Sequence, residues 1–318
     1  LNELFGFERL PDQKITQEHM DLAKSVQTVY EDIFFHLLNI IYKKYKLENL
    51  SISGGCAMNS VANGKIIKNT QFKNIYISPN PGDAGGSVGS ASAFLYRKYK
   101  YKFYVKNYAY LGNSYNNEEI SKVLKENNIQ DKFEVKFLEN KDLYSEVSKS
   151  LTEEKIVGWF QGKMEWGPRA LGNRSILADA RNPKIKDIIN SKIKRRESFR
   201  PFAPSILEEQ VINWFQLDKN VPFMSEVYLI KNEKKTLIPG VTHVDGTGRL
   251  QTVNFNNNPR YYNLIKEFFN ATKVPIILNT SFNENEPIVN KPIEALNCFR
   301  RTNMDILVLG NWCIIRNN

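Results

Sequence analysis

The chain has 318 residues, 42% of them hydrophobic and 25% charged, a composition typical of a globular protein and not of a disordered or fibrous one. Its net charge of +10 favours anionic partners, namely phosphates, nucleotides or nucleic acid, without choosing among them. Three scattered cysteines exclude a disulfide framework, and no apolar run has the length of a transmembrane helix or the pattern of a signal peptide. We therefore expect a cytoplasmic protein without a membrane partner.

The first hundred residues predict α/β architecture. Apolar residues recur at helical spacing over 18–45 and predict one long helix. A strand is expected at 50–53, followed by a glycine pair and a helix over 57–68. A second strand, at 75–78, leads into a glycine-rich turn and a helix over 87–96. Strand, glycine turn and helix, repeated twice, are typical of α/β folds.

A change of character over 98–112, where Lys and Tyr alternate without a helical period, predicts a domain boundary. Because a chain of this length favours about two domains, we assign 1–104 to the first domain and 105–318 to the second. Beyond the boundary, helices are expected at 117–127, 141–154, 259–272 and 292–300. Strands are expected at 133–138, 156–160, 222–229, 250–253, 274–278 and 306–309. The densest polar stretch, 161–200, lies among them.

Each of the first two predicted strands ends in a glycine-rich turn. Gly54 and Gly55 allow backbone amides to approach an anion at a helix N-terminus, and Asn59 follows within reach of a nucleotide. A tight turn without a ligand is the simpler interpretation of the glycine pair. Asp83, flanked by glycines, suits a cation or a nucleotide-bound metal. An N-cap of the following helix explains it equally well.

The polar stretch contains arginines whose neighbours fix the backbone. Arg169, Arg174 and Arg200 lie close to Gly or Pro, which indicates a defined placement of these side chains. A guanidinium group matches phosphate oxygens in a bidentate manner. A basic, solvated helix face explains Lys184 and Lys186 better than a binding site does. A nucleic-acid surface is the other alternative, although such a surface usually brings exposed aromatic side chains.

Two further polar motifs lie in the carboxyl-terminal part. His243 and Asp245 precede a glycine turn and Arg249 opens a strand, a set that suits proton handling and a phosphate contact. Asn279 to Asn283 close an apolar strand with polar side chains, which is typical of residues that line a site. A hydrogen-bonded Asx or Ser/Thr turn is the alternative.

Six motifs, in this order, resemble the carbamoyltransferases of nodulation and antibiotic tailoring. They are LSISGGCAMNSVANGK, SPNPGDAGGSVGSA, GWFQGKMEWGPRALGNRSILADAR, KRRESFRPFAPS, THVDGTGRLQTV and NTSFNENEPIV. The resemblance implies the carboxyl-terminal half of an ASKHA (actin/RNase H-like) domain followed by a YrdC-like α/β domain. In that family the YrdC-like domain forms carbamoyl adenylate from carbamoyl phosphate and ATP. The ASKHA-like domain then transfers the carbamoyl group to a hydroxyl or amine of a small molecule, with a metal that is commonly iron.

The resemblance also implies roles for individual residues. The residues expected to bind the nucleotide are Gly54, Gly55, Asn59, Asn279, Ser281 and Asn283. The residues expected to act in catalysis are Lys194 and Arg196 of the K-x-R signature, Arg200, Arg169, Arg249 and His243. Asp83 is the expected metal ligand. The expected cofactors are ATP with Mg²⁺, carbamoyl phosphate as co-substrate, and Fe²⁺ at the transfer site.

The sequence departs from the family in one respect. The H-x-x-x-H metal motif of the family's first half-domain is missing, since none of the three histidines are four residues apart. We expect that half-domain to be a separate polypeptide, to have been removed, or to be cut off from this sequence, and as a second chain it would be a partner. Two alternative functions stay open, a tRNA threonylcarbamoyl-type modification enzyme and a basic nucleic-acid-binding module, although nucleic acid is not the expected partner.

Overall fold

The structure, a computed structural model, describes residues 2–6, 8–10, 13–102 and 109–317. The chain divides into two compact units. The first unit comprises 1–51 and 65–76, and the second comprises 52–64 and 77–318. The domain boundary predicted between 104 and 105 lies outside the described residues and stays a prediction.

The fold is built from helices and short strands. The α-helices are α1 (Asn2–Phe5), α2 (Gln17–Tyr45), α3 (Ser60–Asn63), α4 (Ile66–Asn69), α5 (Gly86–Tyr99), α6 (Asn117–Glu126), α7 (Asn140–Thr152), α8 (Ile185–Ile189), α9 (Val211–Trp214), α10 (Pro259–Thr272) and α11 (Pro292–Arg301). The strands are β1 (Asn49–Ile52), β2 (Asn74–Ile77), β3 (Phe133–Phe137), β4 (Val157–Phe160), β5 (Arg174–Asp179), β6 (Ala203–Leu207), β7 (Val227–Leu229), β8 (Thr247–Arg249), β9 (Gln251–Val253), β10 (Ile276–Ser281), β11 (Ile306–Leu309) and β12 (Trp312–Arg316). Among the helices described, none is long and apolar enough to cross a membrane.

The first unit contains the long helix that the sequence predicts. Helix α2 ends where Lys46 adopts a left-handed conformation, a common helix terminus. Some of its apolar side chains, such as Val29 and Ile33, are more than half exposed, and Leu38 is its buried residue. Strands β1 and β2 pair in a two-stranded sheet. The Nζ of Lys65 lies 2.6 Å from a carboxylate oxygen of Glu31 and ties the segment before α4 to α2.

The prediction of a single helix over 57–68 is wrong. A short 3₁₀ turn, Gly55–Met58, is followed by α3, and the chain then breaks before α4. The break follows Gly64, where an added Cβ would overlap the backbone carbonyl of Val227. Only glycine permits this approach, and glycine is also a poor helix former.

The second unit is organised by an eight-stranded sheet with the strand order β3-β12-β11-β4-β5-β10-β6-β9. The pairs β4–β11 and β6–β9 are parallel and the others are antiparallel. The α/β class predicted from the sequence is therefore confirmed, with a mixed sheet. Sequence patterns missed β5, β6, β8 and β12, and the strand predicted at 222–229 is confirmed only at Val227–Leu229.

Helices cover both faces of the sheet because the strand side chains alternate. On β5, Leu177 packs in one core cluster with α7 and α10, whereas Ile176 and Ala178 pack in the other with α6 and α11. Helix α10 presents Tyr261, Leu264, Ile265 and Phe268, the i, i+3, i+4, i+7 spacing of one helical face. Burial of each such side chain stabilises the fold by roughly 1.5–3 kcal/mol.

Glycine at position 172 allows the loop before β5 to lie against α10. Its φ is +104°, and an added Cβ would overlap the ring of Tyr261. We expect Gly172→Ala to lower the free energy of unfolding by roughly 2–4 kcal/mol, because it adds backbone strain to overpacking. Gly89→Ala, inside α5 with open space around it, should be neutral or stabilising by about 1 kcal/mol. Urea unfolding measures both, and equal stabilities would contradict this packing.

Candidate functional site

A buried lysine lies at the carboxyl end of β10. The Nζ of Lys194 is 2.6 Å from the carbonyl oxygen of Ser281, 2.8 Å from that of Asn283 and 2.7 Å from Oδ1 of Asn283. Lys194 belongs to a π-helical turn, Asn190–Lys194, and is 2% exposed. The structure thus brings together the K-x-R lysine and the S-x-N residues that the sequence separates by almost ninety positions.

Two opposing effects act on this amine. Burial, together with repulsion from Arg196, lowers the pKa of Lys194 to about 7. The surrounding oxygens, which include the Ser281 hydroxyl at 3.2 Å, accept hydrogen bonds and favour the ammonium form. The charge on Lys194 therefore responds to pH near neutrality and to any anion that binds beside it.

Asn190 fixes the arginines that follow Lys194. Its Oδ1 accepts a hydrogen bond from Nε of Arg196 at 2.8 Å, and its Nδ2 donates to the carbonyl oxygen of Arg200 at 3.2 Å. The Arg196 guanidinium also lies over the ring of Phe202, 5.0 Å from its centroid. Sequence reasoning missed Asn190, because asparagine in a polar stretch carries no signal of the backbone atoms that it will bind.

Glu165 shapes the loop that carries Arg169. One oxygen of its buried carboxylate accepts backbone N–H hydrogen bonds from Leu171 at 2.6 Å and Asn173 at 2.8 Å. Burial raises the pKa of Glu165, although these hydrogen bonds oppose the rise. Glu165 was also missed from the sequence. The only signal that could have indicated Glu165 is its position four residues before Arg169, in a segment with several Gly and a Pro.

Arg174 stabilises the same loop from inside the protein. It is fully buried, and its Nη1 donates to the carbonyl oxygen of Gln161 at 2.7 Å. Its guanidinium lies 3.6 Å from the centre of the Phe160 ring. Burial lowers the pKa of Arg174 to about 10. This arginine is therefore structural, unlike Arg169.

The remaining cations and His243 come together around a cavity of ≈ 410 Å³, which we call the arginine cavity. Its lining includes seven of the predicted site residues: Arg169, Arg196, Arg200, Arg249, His243, Asn279 and Ser281. Ser60, next to the predicted nucleotide-binding Asn59, also lines it, whereas no aspartate or glutamate does so among the described residues. A second, more open cavity of ≈ 810 Å³ shares Arg196, Arg200 and Ser281, and adds Lys194 and Asn283.

The arginine cavity is electropositive and partly dehydrated. Burial and the nearby Arg169 lower the pKa of Arg249 to about 9, and burial lowers the pKa of Arg169. Nε of Arg249 donates to the carbonyl oxygen of Met224 at 2.7 Å, which orients the side chain. Arg200, which is exposed, pairs with Glu197 at 3.0 Å. Cations crowded together with little solvent favour the binding of an anion with several oxygens.

Comparison with known proteins assigns the chain to a family. The model of the carbamoyltransferase carboxyl terminus matches residues 148–316, and the model of the carbamoyltransferase amino terminus matches residues 1–92. The chain belongs to the carbamoyltransferase family. The carboxyl-terminal match contains all four arginines of the arginine cavity.

Three relatives illustrate the family. Uncharacterized protein sll1178 of Synechocystis sp. is 41% identical, over 99% of this chain and 55% of its own length. Nodulation protein NolNO of Sinorhizobium fredii is 38% identical, over 94% of this chain and 44% of its own length. The 3'-hydroxymethylcephem-O-carbamoyltransferase of Amycolatopsis lactamdurans is 30% identical, over 83% of this chain and 48% of its own length. The chain thus spans about half the length of the curated relatives it matches.

The predicted nucleotide and metal residues of the first hundred positions line neither of these two cavities. Gly54 has a φ of +96° and its N–H donates to the carbonyl oxygen of Pro81 at 2.7 Å, while Gly55 is open to solvent. Asn59 caps α3, since its Oδ1 accepts from the N–H of Ala62 at 3.1 Å. Asp83 is exposed at the start of a 3₁₀ turn.

The described residues do not fit the predicted iron. Within residues 2–6, 8–10, 13–102 and 109–317, no three His, Cys, Asp or Glu side chains are grouped as a metal site would require. A single carboxylate such as Asp83 fixes neither the geometry nor the affinity of a transition metal. Asp83 as a metal ligand therefore stays a prediction.

The pKa of Lys194 generates a test of anion binding. Sulfate keeps its charge above pH 5, so its affinity reports on the protein alone. We expect the affinity to fall by roughly 10-fold between pH 6.5 and 8.5, because the Lys194 ammonium loses its proton above about pH 7. Lys194→Met should abolish this pH dependence, and Lys184→Met, at an exposed position, should retain it. Calorimetric titration measures the affinities, and a flat profile in the unsubstituted protein would contradict the assignment.

Proposed function

We propose that this chain carries the activating site of an ATP-dependent carbamoyltransferase. The site converts carbamoyl phosphate and ATP into carbamoyl adenylate, phosphate and pyrophosphate. The observation that carries the proposal is the arginine cavity, in which Arg169, Arg196, Arg200 and Arg249 meet without an acidic side chain among the described lining residues. The family membership of the chain supports the carbamoyl chemistry.

The chemistry requires two successive displacements at negatively charged groups. Water adds to the carbonyl carbon of carbamoyl phosphate, the bond from that carbon to the phosphate oxygen breaks, and carbamate, phosphate and a proton result. A carbamate oxygen then bonds to the α-phosphorus of ATP, while the bond from that phosphorus to the bridging oxygen breaks and pyrophosphate leaves. Fixed cations that stabilise the developing charge and hold the groups in line accelerate both steps.

The two cavities divide this work between them. The arginine cavity, with Arg169 and Arg249 half-buried, suits carbamoyl phosphate and the carbamate derived from it. The more open cavity has the volume for the phosphates of ATP, and its four cations, Lys194, Arg195, Arg196 and Arg200, outnumber its two acidic residues, Glu197 and Glu284. Arg196, Arg200 and Ser281 belong to both linings and would face the α-phosphate, where the two substrates react.

The acceptor of the carbamoyl group is proposed to be a hydroxyl of a small molecule. The cephem relative is named as an O-carbamoyltransferase, and its name gives the 3'-hydroxymethyl group of a cephem as its acceptor. The family membership of the chain supports carbamoyl transfer to a hydroxyl. We assign no metal to the transfer step, because the described residues do not fit a metal site.

Exchange of labelled pyrophosphate into ATP, dependent on carbamoyl phosphate, tests the activation step. We expect Arg200→Ala and Lys194→Ala to reduce this exchange by roughly 30- to 1,000-fold, because each removes a positive charge beside the groups that become more negative in the transition state, an effect of about 2–4 kcal/mol. Lys184→Ala, which removes the same amount of charge from an exposed position, should leave exchange unchanged. Equal losses in Lys184→Ala and Lys194→Ala would refute the assignment, and absence of exchange in the folded, unsubstituted chain would refute the function.

A further inference from the structure

Strand β3 forms an open edge of the eight-stranded sheet. It pairs with β12 on one side, and no described strand lies on its other side. Natural proteins usually protect such an edge, because its unpaired N–H and C=O groups can pair with another chain. Strand β3 contains no proline, and its pairing with β12 continues without a bulge from Phe133 to Phe137. An open and regular edge of this kind accepts a further strand.

The hydrogen bond just beyond β3 shows which of its backbone groups point outward. The N–H of Leu138 donates to the carbonyl oxygen of Asn311, in the turn before β12, at 3.0 Å. Along an antiparallel strand the direction of the backbone hydrogen bonds alternates, so the even-numbered residues of β3 bond to β12. The N–H and C=O groups that point to the open edge are those of Phe133, Val135 and Phe137. Among the described residues, these three form no backbone hydrogen bond outside the sheet.

The charged side chains of β3 match a second copy of the same strand. Glu134 and Lys136 are 50% and 42% exposed, and a carboxylate oxygen of the first lies 2.8 Å from Nζ of the second. If two copies pair antiparallel with Val135 opposite Val135, then Glu134 of each copy lies opposite Lys136 of the other. Both are non-hydrogen-bonded pairs, in which side chains approach most closely. The smallest shift that keeps the hydrogen bonds, two residues, places Glu134 opposite Glu134 or Lys136 opposite Lys136. The sequence of β3 therefore fits one register of self-pairing and opposes its neighbours.

The aromatic side chains of β3 match in the same register. Phe133 of each copy lies opposite Phe137 of the other. Phe137 is 46% exposed, and its ring centroid lies 5.0 Å from that of Trp312 in an edge-to-face arrangement. Aromatic pairs across two strands stabilise antiparallel pairing. A second copy would therefore cover a ring that the single chain leaves half in solvent.

We propose that β3 is the interface of a homodimer, in which two copies of the chain pair edge to edge about Val135 and their sheets become continuous. A twofold axis at Val135 makes the interface isologous, so each contact between the copies occurs twice. The open edge alone would accept any extended segment, whereas the order Glu134, Val135, Lys136 selects a second copy. Because the strand is short, the dimer is weak and forms only as the protein concentration rises. This inference does not depend on the carbamoyl chemistry.

Sedimentation equilibrium of residues 1–318 tests the proposal through the charges. The unsubstituted chain should show a dimer whose proportion rises with concentration. Glu134→Lys and Lys136→Glu each place like charges opposite each other twice, so the dimer of either variant should dissociate roughly 10-fold more readily. An equimolar mixture of the two variants restores opposite charges at both positions and should dimerise like the unsubstituted chain. Lys184→Glu, the same change of charge at an exposed position outside β3, should dimerise normally. Equal urea unfolding transitions show that the variants are folded.

Hydrogen exchange of single amides distinguishes this interface from any other. As the concentration rises, the amides of Phe133, Val135 and Phe137 should become protected, whereas those of Glu134 and Lys136, already bonded to β12, should not change. Three results would overturn the proposal: a monomer at every concentration, a dimer that survives both charge reversals, or a dimer without this alternating protection. Protection that arises only when a different protein is added would overturn it as well, because the occupant of the edge would then not be a second copy.

Discussion

Two cations of the second unit, Lys194 and Arg174, are buried without an ion pair among the described residues, and neutral oxygen atoms surround them. Lys194 is surrounded by oxygens of Ser281 and Asn283, and Arg174 by backbone carbonyls such as that of Gln161. Removing a cation from water is unfavourable by several kcal/mol unless hydrogen bonds replace the hydration shell. Carbonyl oxygens replace the hydration shell without cancelling the positive charge, whereas a carboxylate would cancel it. Lys194 and Arg174 therefore have no carboxylate partner at ion-pair distance among the described residues, although burial lowers the pKa of each.

This constraint explains why the loops around the site are so firmly fixed. A cation that is held by carbonyl oxygens needs backbone segments that cannot move away from it. Glu165 ties the Arg169 loop through the N–H groups of Leu171 and Asn173, and Asn190 ties the segment from Arg196 to Arg200. The same loops end at β5 and β6, next to β10 in the middle of the sheet. Sheet, loops and cations thus form one rigid support for the ligand.

Sequence patterns predicted the parts of the fold whose side chains repeat with a period. Helices α2 and α10 were predicted nearly to their ends. In α2 apolar residues recur with a helical period, and in α10 Asn258 and Pro259 mark the start. Strand β5 was missed because it begins with the buried Arg174 in the most polar stretch of the chain. A strand whose first residue is an arginine held by carbonyl oxygens has no apolar signature, although every residue of β5 is buried.

The site was predicted unevenly for a similar reason. The resemblance to the family indicated the arginines and Lys194, and the structure places them around two adjoining cavities. Glu165 and Asn190 were missed because they bind backbone atoms, which leave no mark in a sequence. Only the folded structure shows which atoms these side chains bind.

The most direct test of the account is the product that forms when residues 1–318 are mixed with carbamoyl phosphate and ATP. Phosphorus NMR and mass spectrometry distinguish the bond of ATP that breaks. If the arginine cavity and the lysine beside it activate carbamate, then pyrophosphate and carbamoyl adenylate appear only when both substrates are present. Formation of ADP, or of pyrophosphate without carbamoyl phosphate, would contradict the account.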